Sequence, residues 1–252
     1  MSLRSIGTVC LLLLAGSCGG DGGGPTTPDP SVATFASTHF VFHYPPRDEA
    51  KVPSIASAVE REYTRIIDDL HAGGMPTVTV TLYTDHAALE AAVRPIVGAV
   101  PSFASGLVTS QGEIHMISPN APGWGPLDRM QSNLVHEFAH CVTLHVNPRA
   151  ANNPRWLWES VAIYEARQSV DLRGVSYMTA LDPPSFESMT AVDNTRIYDV
   201  GYSIAEFIVS RWGQSALSQL VAASGDTAAT LGVPLTDFQR QWFAFARERY
   251  GF

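Results

Sequence analysis

Residues 136–140 read His136-Glu137-Phe138-Ala139-His140, and after the eighteen residues 141–158 a further glutamate stands in Trp156-Leu157-Trp158-Glu159-Ser160. On a helix of about 3.6 residues per turn, His136 and His140 lie one turn apart and project from one face, so two imidazoles can reach one ion. Glu137 sits one position round, beside such an ion rather than on it. There its carboxylate can take a proton from a water that the metal activates. If the chain turns back through Asn152-Asn153-Pro154 into a second helix, Glu159 completes a His2Glu set and leaves a fourth position open. An open position means chemistry, whereas four protein ligands mean structure. In a shuffled chain with 8 His, His-Glu-x-x-His would occur about once in a hundred, and a glutamate at one given downstream position cuts that roughly twentyfold again.

The zinc helix is read as Leu127 to Val146, with Leu127, Met130, Leu134, Phe138, Cys141 and Val142 as its buried stripe and Asn147-Pro148 as its stop. The second ligand helix covers about Pro154 to Gln168, and Trp156, Trp158, Ile163 and Tyr164 are expected to pack against the zinc helix. Cys141 follows His140 directly but points about 100° away from it, so it reads as a small buried hydrophobe.

Upstream, Phe35 to Tyr44 is rich in β-branched and aromatic residues and reads as one strand. His39 and His43 fall on one face of it but roughly 13 Å apart, too far for one ion, and are expected at a surface or edge. Val52 to Leu70 carries apolar residues at helical spacing, with Pro53 near its start and Gly73-Gly74 beyond its end. A strand at Pro76 to Tyr83 and a short helix at about Asp85 to Val93 follow. Ser105 to Thr109 and Glu113 to Ile117 then form a hairpin around Ser110-Gln111-Gly112. A strand so close to the zinc helix can be an edge to which an extended peptide adds, or a plain core strand. After Thr195 the pattern is helical, over Ile197 to Trp212, Ser215 to Ala223 and Leu235 to Tyr250. Strands first and helices after imply an α+β fold, a small mixed sheet with a helical C-terminal half.

The first 17 residues read as a signal peptide: Arg4, an apolar run from Ile6 to Leu14 too short to span a bilayer, and small residues before Cys18. Leu14-Ala15-Gly16-Ser17-Cys18 resembles a bacterial lipobox, which implies lipidation of Cys18 and a place in the bacterial cell envelope; a plain secretory cleavage is the alternative. Residues 18–34, rich in glycine and proline, form a tether that cannot bury a core, and 35–252 the folded domain. Cys10 and Cys18 fall outside that domain, so Cys141 has no intradomain disulfide partner. The formal net charge of −8 and the lack of any Lys/Arg cluster argue against a nucleic-acid partner. A monomer is expected.

With these residues in place, the chain resembles a gluzincin metallopeptidase of the peptidase MA type, distantly similar to the aminopeptidase N family catalytic domain. The resemblance rests on His136-Glu137-x-x-His140, the eighteen-residue gap, Glu159, and Tyr198-Asp199-Val200-Gly201. It implies a zincin-like domain with one Zn2+ per chain on His136, His140 and Glu159, and hydrolysis of peptide or protein substrates with Glu137 as general base. In those relatives the tyrosine of Tyr-x-x-Gly donates a hydrogen bond to the oxyanion, a role that falls on Tyr198, with Tyr202 as competitor. Ser160 stands where the relatives usually have glycine. Their Gly-x-Met-Glu-Asn segment, which holds a substrate's free amino group, has no counterpart before His136, which shifts the expectation from aminopeptidase towards an endopeptidase or another specificity that the sequence does not name. A surface-tethered binding protein on a zincin scaffold, and a hydrolase of non-peptide amides or esters, are the competing readings. A ligating histidine gives its other ring N–H to a carboxylate or carbonyl; Asp193, Asp199 or a backbone carbonyl can supply that bond, and the sequence does not choose among them.

Overall fold

The computed structural model describes residues 32–252. The signal peptide, Cys18 and nearly all of the tether lie outside the described residues. The fold is α+β: a five-stranded mixed sheet in the order β1-β2-β3-β5-β4, followed by a mostly helical C-terminal half. The strands are β1 (Ala33–Ala36), β2 (Phe40–Tyr44), β3 (Val78–Tyr83), β4 (Gly106–Ser110) and β5 (Glu113–Ile117). The three central strands β2, β3 and β5 run parallel to one another, while the outer pairs, β1 on β2 and β4 on β5, are antiparallel.

The single strand expected over Phe35 to Tyr44 is instead a hairpin, with Ala33 opposite Tyr44. Its turn is closed by the Ser37 N–H donating to Phe40 O at 2.9 Å, and the His39 N–H leaves the ladder to donate to Glu60 Oε1 at 2.8 Å. The His39 ring lies 2.7 Å from Glu60 Oε2 and stacks on Tyr63 at 3.6 Å, so this histidine fastens the turn to the next helix. His43 pairs with Thr34 Oγ1 at 3.2 Å.

That helix, α1 (Val52–Asp69), buries Ile55, Val59 and Ile66 and packs on α3 (Leu127–Val146). Between them in sequence, α2 (His86–Val97) is capped by Asp85 Oδ1, which accepts from the Ala88 N–H at 2.8 Å. It runs one turn past the expected end at Val93, through Pro95, because Val97 is drawn into the core. The helical half comprises α4 (Arg155–Glu165), α5 (Ser176–Thr179), α6 (Ile197–Trp212), α7 (Ser215–Ala222), α8 (Thr227–Leu231) and α9 (Leu235–Tyr250). No helix among the described residues is long and apolar enough to cross a membrane.

Helix α3 departs from the single buried stripe. Every residue from Asn133 to Leu144 is buried, because α1, β4, β5, α4 and α7 all pack on it. A helix enclosed on all sides is the centre of its domain.

The residues expected to fix α4 against α3 divide between two neighbours. Trp158 stacks on His140 of α3 at 4.2 Å. Trp156 turns the other way, onto Phe186 at 4.8 Å and Phe238 at 5.7 Å, and Tyr164 meets Tyr202 of α6 at 5.3 Å. Ile163 also faces α6. A Cβ on Gly201 would lie 2.7 Å from Ile163 Cδ1 and 3.3 Å from Ser160 Cα, so α4 and α6 approach closely only because residue 201 has no side chain. Gly201→Ala is therefore expected to destabilise the fold by about 1–3 kcal/mol through overpacking. An unchanged urea midpoint would show that the contact relaxes freely.

Glu165, at the end of α4, is fully buried. Its Oε2 accepts from Arg65 Nη1 of α1 at 2.5 Å, and Arg65 also reaches Glu62 and Asp69. Burial outweighs the pull of the arginine and pushes the Glu165 carboxyl from 4.5 up to about 7. A folded value above the unfolded one means that the folded chain holds the extra proton between the two. This contribution is fully present below the unfolded value and is lost as pH rises through the folded one. Thermal melts from about pH 4.5 to 7.5 should show a smaller loss of stability with rising pH in Glu165→Gln than in the parent; parallel curves would refute the assignment.

Candidate metal centre

His136 and His140 come from consecutive turns of α3, with ring centroids 4.7 Å apart and planes at 87°. Glu159 comes from α4, after a connection in which the Asn147 side chain donates to Val221 O at 2.8 Å and to Ser224 Oγ at 3.1 Å. Helix and return thus deliver three ligand-type atoms that all lie within 4.8 Å of one another. Glu159 Oε2 is 3.4 Å from His136 Nε2 and 3.9 Å from His140 Nε2. A tetrahedral ion with bonds of about 2.0–2.1 Å keeps its ligands ~3.4 Å apart. All three residues are buried.

The strongest test of fit is what these atoms lack. Among the described residues, His136 Nε2, both ring nitrogens of His140 and both oxygens of Glu159 are buried with no hydrogen-bond partner. Burying an unpaired carboxylate costs several kcal/mol or more, and a cation shared with two imidazoles removes that cost. The residues fit a metal ion.

The orientation of His136 is explicit. Its Nδ1 lies 2.9 Å from Gln168 Oε1, and an amide oxygen only accepts, so Nδ1 carries the proton and Nε2 presents its lone pair. Gln168 Nε2 in turn donates to Ser132 Oγ at 3.1 Å and Asn133 Oδ1 at 3.2 Å, which fixes the direction of the amide. The partner of His136, left open by the sequence, is thus the side-chain carbonyl of Gln168 and neither Asp193, Asp199 nor a backbone carbonyl. Asp199 accepts from Tyr177 at 2.8 Å, and Asp193 is exposed. Gln168 could not be chosen from spacing, because it is brought back beneath α4 by a reversal in which Arg167 has φ 54° and the Gln168 N–H donates to Ile163 O at 2.9 Å. Burial first, and then the neighbouring His136 ring and the positive charge of Arg155, push the basicity of His140 well down, which favours the neutral, ligating imidazole.

Glu137 lies beside the three and is fully buried, with neither oxygen hydrogen-bonded among the described residues. Burial, and then the neighbouring Glu159, raise its carboxyl well above the usual range in the metal-free chain. It abuts β4. A Cβ on Gly106 would lie 3.1 Å from Glu137 Oε1 and 3.0 Å from Met116 Cγ, so the glycine makes room for the carboxylate against the strand.

Tyr198, in the first turn of α6, is buried; its hydroxyl is held well above the ordinary phenol range by burial and then by the charge of Glu159. Its oxygen accepts from Arg155 Nη2 at 3.3 Å. Tyr202 packs on Tyr164 instead, so of the two tyrosines the fold brings Tyr198 to the site. Cys141 is buried and its thiol donates to Ser110 O at 3.6 Å, away from the ligand atoms. Arg155 and Gly106 join Gln168 as residues that sequence reasoning missed. The arginine stands four positions before Glu159, a helical neighbour that spacing alone could have flagged.

Fold and site together define an α+β protein with a buried His-His-Glu group, its histidines on an HExxH-type helix and its glutamate on α4, compatible with a zinc hydrolase. No family model matches this chain, and no curated protein matches it. Removing the second partner of a ligating imidazole costs about 10–100-fold in metal affinity. Chelator competition should show a loss of that order for Gln168→Ala, and an unchanged affinity would count against the assigned orientation of His136.

Proposed function

We propose that this chain is a zinc-dependent hydrolase of peptide bonds, a gluzincin-type metallopeptidase held to a membrane of the bacterial cell envelope by a lipid on Cys18. The observation that carries the reading is the buried and otherwise unpaired set His136, His140 and Glu159 with a second unpaired carboxylate, Glu137, beside it. A pure binding scaffold has no use for that second carboxylate. The membrane attachment is supported by the lipobox-like segment ahead of Cys18 and the Gly/Pro-rich stretch after it.

Zinc on these ligands supplies Lewis-acid activation of a water and of the scissile carbonyl. The chain's own residues do the rest. Glu137 takes the proton of the attacking water and returns it to the leaving amine. The Tyr198 hydroxyl donates to the oxygen on which negative charge develops. Strand β4 ends the sheet and passes Glu137 at Gly106. An extended peptide adding along this strand would carry its backbone past the carboxylate. The dry surroundings strengthen each of these interactions relative to water.

The test is elemental analysis of the purified chain beside a mixed-peptide digest read by mass spectrometry. One zinc per chain, with cleavage in the parent, is expected. Glu137→Gln should retain the zinc and lose about 10²–10⁴-fold in turnover, the usual contribution of a general base. A folded chain with no bound metal would overturn the metal centre. Zinc without cleavage of any peptide would overturn the peptidase reading and favour a binding scaffold or a non-peptide substrate.

A further inference from the structure

Arg155 is the first residue of α4, four positions before Glu159, and its side chain is among the largest that the fold buries completely. Its Nη1 donates to three backbone carbonyls, Met189 O at 3.2 Å, Ala191 O at 3.1 Å and Asn194 O at 2.9 Å. Its Nη2 donates to Tyr198 Oη at 3.3 Å, and its Cζ lies 5.5 Å from the centre of the Tyr198 ring. Its Nε is 4.0 Å from Glu159 Oε1. One side chain therefore touches the helix of the third ligand, the segment leading into α6, and the hydroxyl of Tyr198.

The chemistry of a guanidinium gives this contact a direction. Its nitrogens donate and never accept, and it stays charged at every working pH. Tyr198 Oη must therefore be the acceptor in the pair, so the phenol's own hydrogen cannot be used on Arg155 and is given in another direction. A lysine cannot reproduce this, because one ammonium cannot span the three carbonyls and the phenol as a planar fork does.

We propose that Arg155 is a positioning residue for hydrolysis, holding the Tyr198 hydroxyl as a donor in fixed register with the Glu159 ligand. The inference rests on the reading of Tyr198 as oxyanion donor. Arg155 acts through Tyr198, so its removal should cost nothing further once the hydroxyl is gone.

The experiment is a double-variant cycle on the zinc-loaded full chain. Tyr198→Phe should lower kcat about 10²–10³-fold, the loss typical of one oxyanion donor. Arg155→Lys should lower kcat by about 10–100-fold, part of that same loss, with KM within about twofold. In the Tyr198→Phe background, Arg155→Lys should change kcat less than about twofold, since residues acting as a unit are not additive. Multiplicative effects, or a loss carried in KM, would overturn the proposal. A second measurement needs neither metal nor turnover: the 19F resonance of a ring-fluorinated Tyr198 in the metal-free chain. It should shift and broaden in Arg155→Lys if the arginine holds the phenol, and an unmoved line would overturn the positioning. If the parent cleaves no peptide, the peptidase reading falls while this resonance still decides whether Arg155 holds Tyr198.

Discussion

A carboxylate buried without a hydrogen-bond partner is the constraint around which this molecule is built. Glu159 has no exposed surface, and neither of its oxygens finds a donor among the described residues. Two imidazoles face it, and a second carboxylate lies beside it. Such a group is tolerable only with a cation between the ligand atoms, so folding energy and metal affinity are coupled. Arg155 supplies a further positive charge nearby but spends its hydrogen bonds on carbonyls and on Tyr198.

The packing serves that arrangement. A helix enclosed on all sides cannot tilt without disturbing the sheet, α1, α4 and α7 together, which holds His136 and His140 at fixed positions. Two close approaches depend on missing side chains. Gly106 admits Glu137 against β4, and Gly201 lets α6 close on α4 so that Tyr198 reaches the ligand helix. The aromatic layer of Trp156, Phe186, Phe238 and Trp242 fills the far side of α4. This leaves Trp158 as the one tryptophan of α4 turned towards the histidines.

The long helices were legible because apolar spacing and stop signals agree over many residues. The structure ends α3 and α6 at the expected residues, Val146 and Trp212. The N-terminal hairpin was not legible. The run Phe35 to Tyr44 has strand composition throughout, and the break comes from Glu60, which captures the His39 N–H from another element. The end of α2 likewise depends on where Val97 finds the core, not on Pro95.

By itself the sequence determined the α+β order and the His136, His140 and Glu159 set with Glu137 beside it. These follow from short-range periodicity, in which one helical turn fixes two residues relative to each other. The tertiary structure decided everything that depends on distant segments meeting. It put Gln168 rather than an aspartate behind His136, Arg155 against Tyr198, Tyr202 away from the site, and Trp156 on the far side of α4. Those choices turn on a backbone reversal at Arg167 and on packing across α4 and α6. Spacing along a chain carries no information about either, because both are set by which surfaces exclude water together.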